Sequence, residues 1–256
     1  MMRNYLKFIA HLIAALWVSL AVSGSYEDFF VAIKQDDPAA IRALLQRGFD
    51  PNTPNPEGLP ALYVALRDGS LKAANVLIDA RGTKIDARTD KDETPLMMAS
   101  LHGHLDIVRK LIAKDADVVK PGWAPLHYAA TNGHVAVMEL LLEHHAFIDA
   151  ESPNGTTPLM MAAMYGTPEA VRFLLEAGAD PSMKNQLGLS AADFAARAGR
   201  KDLAQTLAVA ARAFEAKYKK RQGSGRDSSR APSANSGPGG PSLDAILTSY
   251  DAYYVK

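Results

Sequence analysis

The chain has 256 residues, 28 lysines and arginines against 28 aspartates and glutamates, and no cysteine, so any stability must come from packing without disulfides. The formal charge of zero hides an asymmetry, with +2 in residues 1–24, −6 in 25–211 and +4 in 212–256. An acidic central region argues against nucleic acid as partner, because backbone phosphates demand a basic surface.

At the start, Arg3 and Lys7 precede an apolar run from Phe8 to Val22, and small residues follow from Ala21 to Ser25. Charged, apolar and small-residue regions in that order predict a secretory signal peptide over 1–24, cleaved near Ser23 to Ser25. The apolar run carries His11 and is shorter than the ~20 residues of a comfortable membrane span. No stable membrane insertion is expected after cleavage; an uncleaved N-terminal anchor is the alternative. With no cysteine after the run, lipid attachment through a processed cysteine is excluded.

From residue 25 to 211 the chain repeats itself. Ala32, Ala65, Ala99, Ala129, Ala162 and Ala195 are spaced 33, 34, 30, 33 and 33 residues apart, and a glycine follows the last five by four residues. A fixed period near 33 predicts a stacked array, about six units sharing one core. The fullest copies open Thr94-Pro95-Leu96-Met97-Met98-Ala99, Ala124-Pro125-Leu126-His127-Tyr128-Ala129 and Thr157-Pro158-Leu159-Met160-Met161-Ala162. After each glycine a second apolar run recurs at i, i+3, i+4, as in Ile107-Val108 and Leu111-Ile112, the spacing of one buried helix face. Thr94 and Thr157 suit the helix N-cap, and proline suits the first helical position.

These openings resemble the ankyrin repeat, which implies an all-α solenoid of β-turn plus helix-pair units over residues 26 to about 211. The copies are unequal. The first lacks Thr-Pro-Leu and has Asp36 where a glycine is expected; the last reads Ser190-Ala191-Ala192-Asp193-Phe194-Ala195. Atypical end units suit a stack whose terminal faces meet water. Repeat four arrives three residues early and has only Lys120-Pro121-Gly122 where its neighbours project a finger. A notch in the finger row is expected there, either a harmless deletion or room for a partner's bulk.

The resemblance further implies that His104 and His134, each after a glycine, form turn hydrogen bonds, and that His127 bonds neighbouring backbone between repeats. Repeats three and five carry Met97 and Met160 at the position of His127. The family pattern puts Met97 and Met160 inside, and Met98, Met161 and Met164 on the concave groove, where methionine makes an adaptable contact surface. Cu(I) capture or sacrificial oxidation by those thioethers is a further alternative.

Carried over position by position, partner contacts are expected at Arg67, Asp68, Leu101, His102, Thr131, Asn132, Met164, Tyr165 and Arg197. Tyr63, Met98, Tyr128 and Met161, at the start of the inner helices, join them. Finger contacts are expected at Asn55, Lys91, Asp92 and Asn154. Trp123, beside the notch, either meets a partner or packs against the next finger.

Neither a catalytic constellation nor a phosphate loop is visible. His102, His104 and the His144-His145 pair lack the spacing of a metal site. No enzyme activity, metal or cofactor is expected. The resemblance therefore implies a monomeric, non-enzymatic module that binds a protein partner. A signal peptide on a cysteine-free array suggests export to a bacterial periplasm. Among exported bacterial proteins of this kind the roles that suggest themselves are support of a catalase in peroxide defence and immunity against a delivered toxin. A secreted host-directed effector and a methionine-based metal or oxidant buffer complete the alternatives.

Beyond the array, 212–222 reads as a basic helix end whose cations complement the helix dipole. Residues 223–241 are Gly, Ser, Pro, Ala, Arg and Asn almost throughout and read as a disordered linker. Leu243, Ile246, Leu247, Tyr250, Tyr253 and Tyr254 then give 242–256 an amphipathic character, suited to docking in cis or in trans or to no role at all.

Overall fold

A computed structural model of the chain describes residues 25–223. The expected signal peptide, the expected linker after its first residue and the expected amphipathic tail lie outside the described residues. Among those described, every regular element is a helix, apart from one antiparallel bridge between Pro54 and Pro60. None of these helices is long and apolar enough to cross a membrane. The chain divides into two compact units between Asp90 and Lys91.

The first unit holds α1 (25–34), α2 (Pro38–Gln46), α3 (Ala61–Arg67) and α4 (Leu71–Asp79), two helix pairs around Phe29, Ile33, Ile41, Leu62, Leu66 and Leu77. Asp36 accounts for its own departure from glycine. It adopts φ +52°, a region aspartate enters more readily than most residues, and its Oδ1 accepts the Ala73 N–H at 2.8 Å. Ala73 lies in the first turn of α4, whose N-cap Ser70 makes no side-chain cap. A residue of repeat one thus satisfies a helix-terminal donor of repeat two.

In the second unit, α5 (Pro95–Leu101), α7 (Pro125–Thr131), α9 (Pro158–Met164) and α11 (Ala191–Arg197) are the short inner helices. The outer ones are α6 (Leu105–Ile112), α8 (Val135–Glu143), α10 (Pro168–Glu176) and α12 (Lys201–Gly223). Each inner helix packs on the next, and each lies against its own outer helix. Ala99, Ala129, Ala162 and Ala195 are fully buried, the small residues that let inner helices approach; Leu96, Leu126 and Leu159 fill the space beside them. Each such leucine contributes roughly 1.5–3 kcal/mol by leaving water.

Local chemistry sets the helix starts. Thr94 Oγ1 accepts the Met97 N–H at 3.3 Å and Thr157 Oγ1 that of Met160 at 3.4 Å. In the last repeat Ser190 and Asp193 cap each other, and the Ser190 hydroxyl and N–H hold the Asp193 carboxyl below its ordinary range. Repeat four has Ala124 at this position and no such side-chain bond.

Between the helices of repeats three and four, Gly103 and Gly133 adopt φ +69° and +71°. A Cβ on Gly103 would lie 2.5 Å from the His134 ring, and one on Gly133 would lie 2.6 Å from Thr167 Cγ2. Left-handed backbone and close approach coincide at both, so only glycine fits. Repeat five differs: its Gly166 has no positive φ, and Thr167 caps α10 instead, its Oγ1 taking the Ala170 N–H at 3.2 Å.

Candidate functional site

The turn between inner and outer helices builds one edge of the second unit. The Leu101 carbonyl receives two donors from the next repeat, Asn132 Nδ2 at 2.8 Å and His134 Nε2 at 3.0 Å. His134 therefore bonds at the turn, as the family pattern implied, and its acceptor lies in the preceding repeat. His104 instead stacks its ring on His102, with centroids 5.7 Å apart. Burial first, then neighbouring imidazoles, depresses both: His104 and His134 act on His102, and His134 on His104. One repeat from the end, Arg200 Nη1 donates to the Gly166 carbonyl at 2.6 Å, an arginine joining turns where repeat four uses histidine.

His127 is fully buried. Its Nδ1 accepts the Ala124 N–H at 3.1 Å, and Nε2 faces the Thr156 carbonyl at 3.0 Å in the next repeat. Met97 and Met160 replace half of this arrangement. Their sulfurs lie 3.2 and 3.5 Å from the N–H groups of Thr94 and Thr157, the place of the imidazole Nδ1, but a thioether has no donor to send onward.

The expected contact residues divide sharply by exposure. In the first unit Tyr63 is buried, whereas Arg67 is half-buried and Asp68 exposed; Arg67 pairs with Asp68 at 2.7 Å and reaches Glu57 at 3.7 Å. In the second unit Met98 and Met161 are only 4% and 2% exposed, which corrects the expectation that they line the groove. Seven-residue inner helices such as α7 and α9, each packed between two others, have little free circumference; in α5 too every residue is buried. Leu101, Tyr128 and Thr131 are buried too. Thr131 Oγ1 donates to the His127 carbonyl at 2.8 Å, and Tyr128 Oη to Glu93 Oε1 at 3.3 Å.

What reaches water is the row at the helix ends: His102, Asn132 and Met164 half-buried, Tyr165 37% exposed, Arg197 exposed. His102, Asn132 and Tyr165 occupy the same place in repeats three, four and five, each just before the glycine. Large apolar side chains that sequence patterning missed also stand out, notably Phe147 and Leu187, 67% and 66% exposed. Phe147 was detectable in principle. It replaces an aspartate that Asp50, Asp117 and Asp180 supply at the same turn position, each accepting the N–H two residues on.

The finger residues are largely committed to their own turns. Asn55 Oδ1 accepts the N–H groups of Glu57 and Leu59, and Asn154 Oδ1 accepts the Ser152 hydroxyl and the Thr156 N–H. Lys91 is exposed. At the shortened turn, Lys120 folds inward: its side chain is 2% exposed, and its ammonium bonds Asp92 and the carbonyls of Pro121 and Trp123, the last two at 3.2 and 3.4 Å. Trp123 is half-buried and meets the His127 ring edge-on at 5.2 Å. Among the described residues no group of three or more His, Cys, Asp or Glu is placed to hold a metal ion.

The family described as ankyrin repeats (3 copies) matches residues 29–121, 81–152, 120–185 and 148–219. The chain is 31% identical to E3 ubiquitin-protein ligase XB3 of Oryza sativa subsp. japonica over 63% of its own length and 40% of that protein. It is 28% identical to the B-cell lymphoma 3 protein homolog of Mus musculus, over 58% of its own length and 35% of the relative. Against ankyrin repeat protein nuc-2 of Neurospora crassa the identity is 28%, over 65% of this chain and 19% of that one. The chain thus spans less than half of each of these relatives. The family matches extend over both units and well past half of the sequence, and the chain belongs to the ankyrin-repeat family.

Proposed function

We propose that this chain is a monomeric, non-enzymatic module that binds one protein partner in a bacterial periplasm. Ankyrin arrays present extended surfaces for protein–protein contact, and that general role comes with the family. The observation that carries the reading to particular residues is the row His102, Asn132, Met164, Tyr165 and Arg197. The Leu101 and Gly166 carbonyls beside it accept side-chain donors from the next repeat, while Tyr165 and Arg197 are exposed and Met164 is half-buried. A preorganised surface with an aromatic anchor is what a protein interface uses. The methionine buffer loses its support, because two of its three thioethers are buried. Export rests on the charged, apolar and small-residue order of residues 1–24.

Cell fractionation with affinity capture tests both halves. The mature protein in the osmotic-shock fraction, holding one stoichiometric partner, supports the reading. Recovery in the cytoplasm contradicts export, and recovery without a partner contradicts the binding role.

A further inference from the structure

We propose that the cleft between α2 and α4 of the first unit takes an acidic segment of the partner protein, holding its carboxylate with Arg42 and Arg81 and an adjoining apolar side chain on the cleft wall. This rests on the protein-binding reading above and adds a second contact of stated chemistry.

The cleft owes one of its arginines to an extra residue. After the last apolar pair of an outer helix, the chain reaches a left-handed residue three positions on, at Gly48, Asp115, His145 and Gly178. After Leu77-Ile78 it takes four, to Gly82 at φ +85°. The added length shows in the backbone: α4 ends on Ala80 in extended geometry, φ −68° and ψ 137°, where α6 and α10 end on right-handed residues. The loop that follows is tied down. Thr83 Oγ1 donates to the Leu77 carbonyl at 2.6 Å, Asn52 Nδ2 donates to the Gly82 carbonyl at 2.9 Å, and Asn52 Oδ1 accepts the Lys84 N–H at 2.7 Å. Arg81 is therefore carried by an ordered turn.

That arginine lines a cleft of about 410 Å³, together with Arg42 and Gln46 of α2 and Asn75 and Asp79 of α4. Leu45, Phe49, Pro51 and Val76 make its apolar wall. The Phe49 ring is set against the buried Phe29, with centroids 4.5 Å apart, so the wall is preformed. The volume falls in the range of roughly 300–1,000 Å³ that ligand clefts occupy.

Charge decides the occupant. Both arginines are exposed, and among the described residues neither guanidinium has an ion-pair or hydrogen-bond partner. Asp79 lines the same cleft but lies beyond ion-pairing distance of both. Two guanidiniums and one carboxylate leave a formal surplus of one positive charge, which suits a single carboxylate better than a phosphate dianion. The fork of guanidinium donors matches two carboxylate oxygens. A cationic segment would be repelled, and a purely polar one would leave the apolar wall in water.

The test follows the amide spectrum of the isotope-labelled full chain during titration with acetyl-(Leu-Glu)3-amide, with its glutamine version and with acetyl-(Gly-Glu)3-amide. Saturable shifts at Phe49, Asn75 and Arg81 are expected with the first peptide, at a Kd at least tenfold below those of the other two. Arg42→Gln and Arg81→Gln each raise that Kd at least fivefold with unchanged Tm, whereas Arg47→Gln, outside the cleft, leaves it unchanged. No saturable shift, a glutamine peptide within twofold of the glutamate one, or arginine variants that bind equally well overturn the proposal. Phosphatidylglycerol vesicles that bind with the same arginine dependence while the peptide does not would overturn it in favour of a membrane surface. If the peptide fails while a captured partner still depends on Tyr165, the cleft alone is wrong. If the peptide binds through both arginines while a captured partner ignores Tyr165, the cleft stands and the row in the second unit falls.

Discussion

His127 Nε2 lies 3.0 Å from the carbonyl oxygen of Thr156, 29 residues later, and so pins the inner helix of repeat four to the finger of repeat five. The bond requires a neutral ring with its proton on Nε2, since Nδ1 already accepts from Ala124. Burial outweighs the favourable backbone contacts and pushes His127 down to about 4. An unfolded histidine titrates near ~6.5, so between these values the unfolded chain holds more protons than the folded one. Stability is then complete above ~6.5 and falls by about 1.4 kcal/mol per pH unit on acidification toward 4. His127→Met, the residue type of repeats three and five, keeps an acceptor for Ala124 and loses the donor to Thr156. Urea unfolding should show a loss of about 1 kcal/mol at pH 7.5. The acid slope should shrink by about one proton, with His102 and His104 supplying what remains.

Ala124 sits at an N-cap with φ −117° and ψ 158°, close to the −113° and 160° of Thr94. Threonine therefore fits this backbone and offers a side-chain acceptor to the His127 N–H, the third of α7, which now donates to the Ala124 carbonyl at 2.9 Å. Ala124→Thr should stabilise the protein by about 1 kcal/mol, a rise of roughly 2–4 °C in Tm. Differential scanning calorimetry checks it.

Gly133 and Gly199 share a left-handed backbone, with φ +71° and +73°, but not their surroundings. A Cβ on Gly133 meets Thr167, whereas one on Gly199 has nothing within 4 Å. Alanine at 199 should cost only the backbone term, about 1–2 kcal/mol. At 133 the clash adds roughly 1–3 kcal/mol more. Chemical denaturation of the two variants separates the contributions.

Phe147 occupies a turn position where three other repeats place an aspartate, and it is largely in water. Phe147→Asp should restore the side-chain bond to the N–H two residues on and remove an exposed ring. The expected change is a stabilisation of about 0.5–1.5 kcal/mol, read from thermal melts. A destabilised variant would mean that the ring packs in a way its exposure does not suggest.

The period of alanines, the helix openings and the role of His127 could all be read from residues, because each is a local rule repeated several times. Side-chain facing could not. A seven-residue helix such as α9 makes barely two turns and is packed between α7 and α11, so Met161 is buried even though the repeat pattern turns it toward the groove, and Met98 of α5 is buried as well. Lys120 was equally opaque. A lysine in a turn ordinarily points to solvent, and only the three missing residues, with Asp92 waiting in the preceding repeat, draw it inward. Asn55 and Asn154 read as finger contacts, yet their amides shape the turns that carry them.

The most direct test compares recovery of the stoichiometric partner on wild-type protein and on the Met164→Gln, Tyr165→Ser double variant. Both side chains are at least partly in water, so the variant should melt within about 1 kcal/mol of wild type. Partner affinity should fall at least tenfold with the fold intact. Equal recovery would show that this row does not form the binding surface.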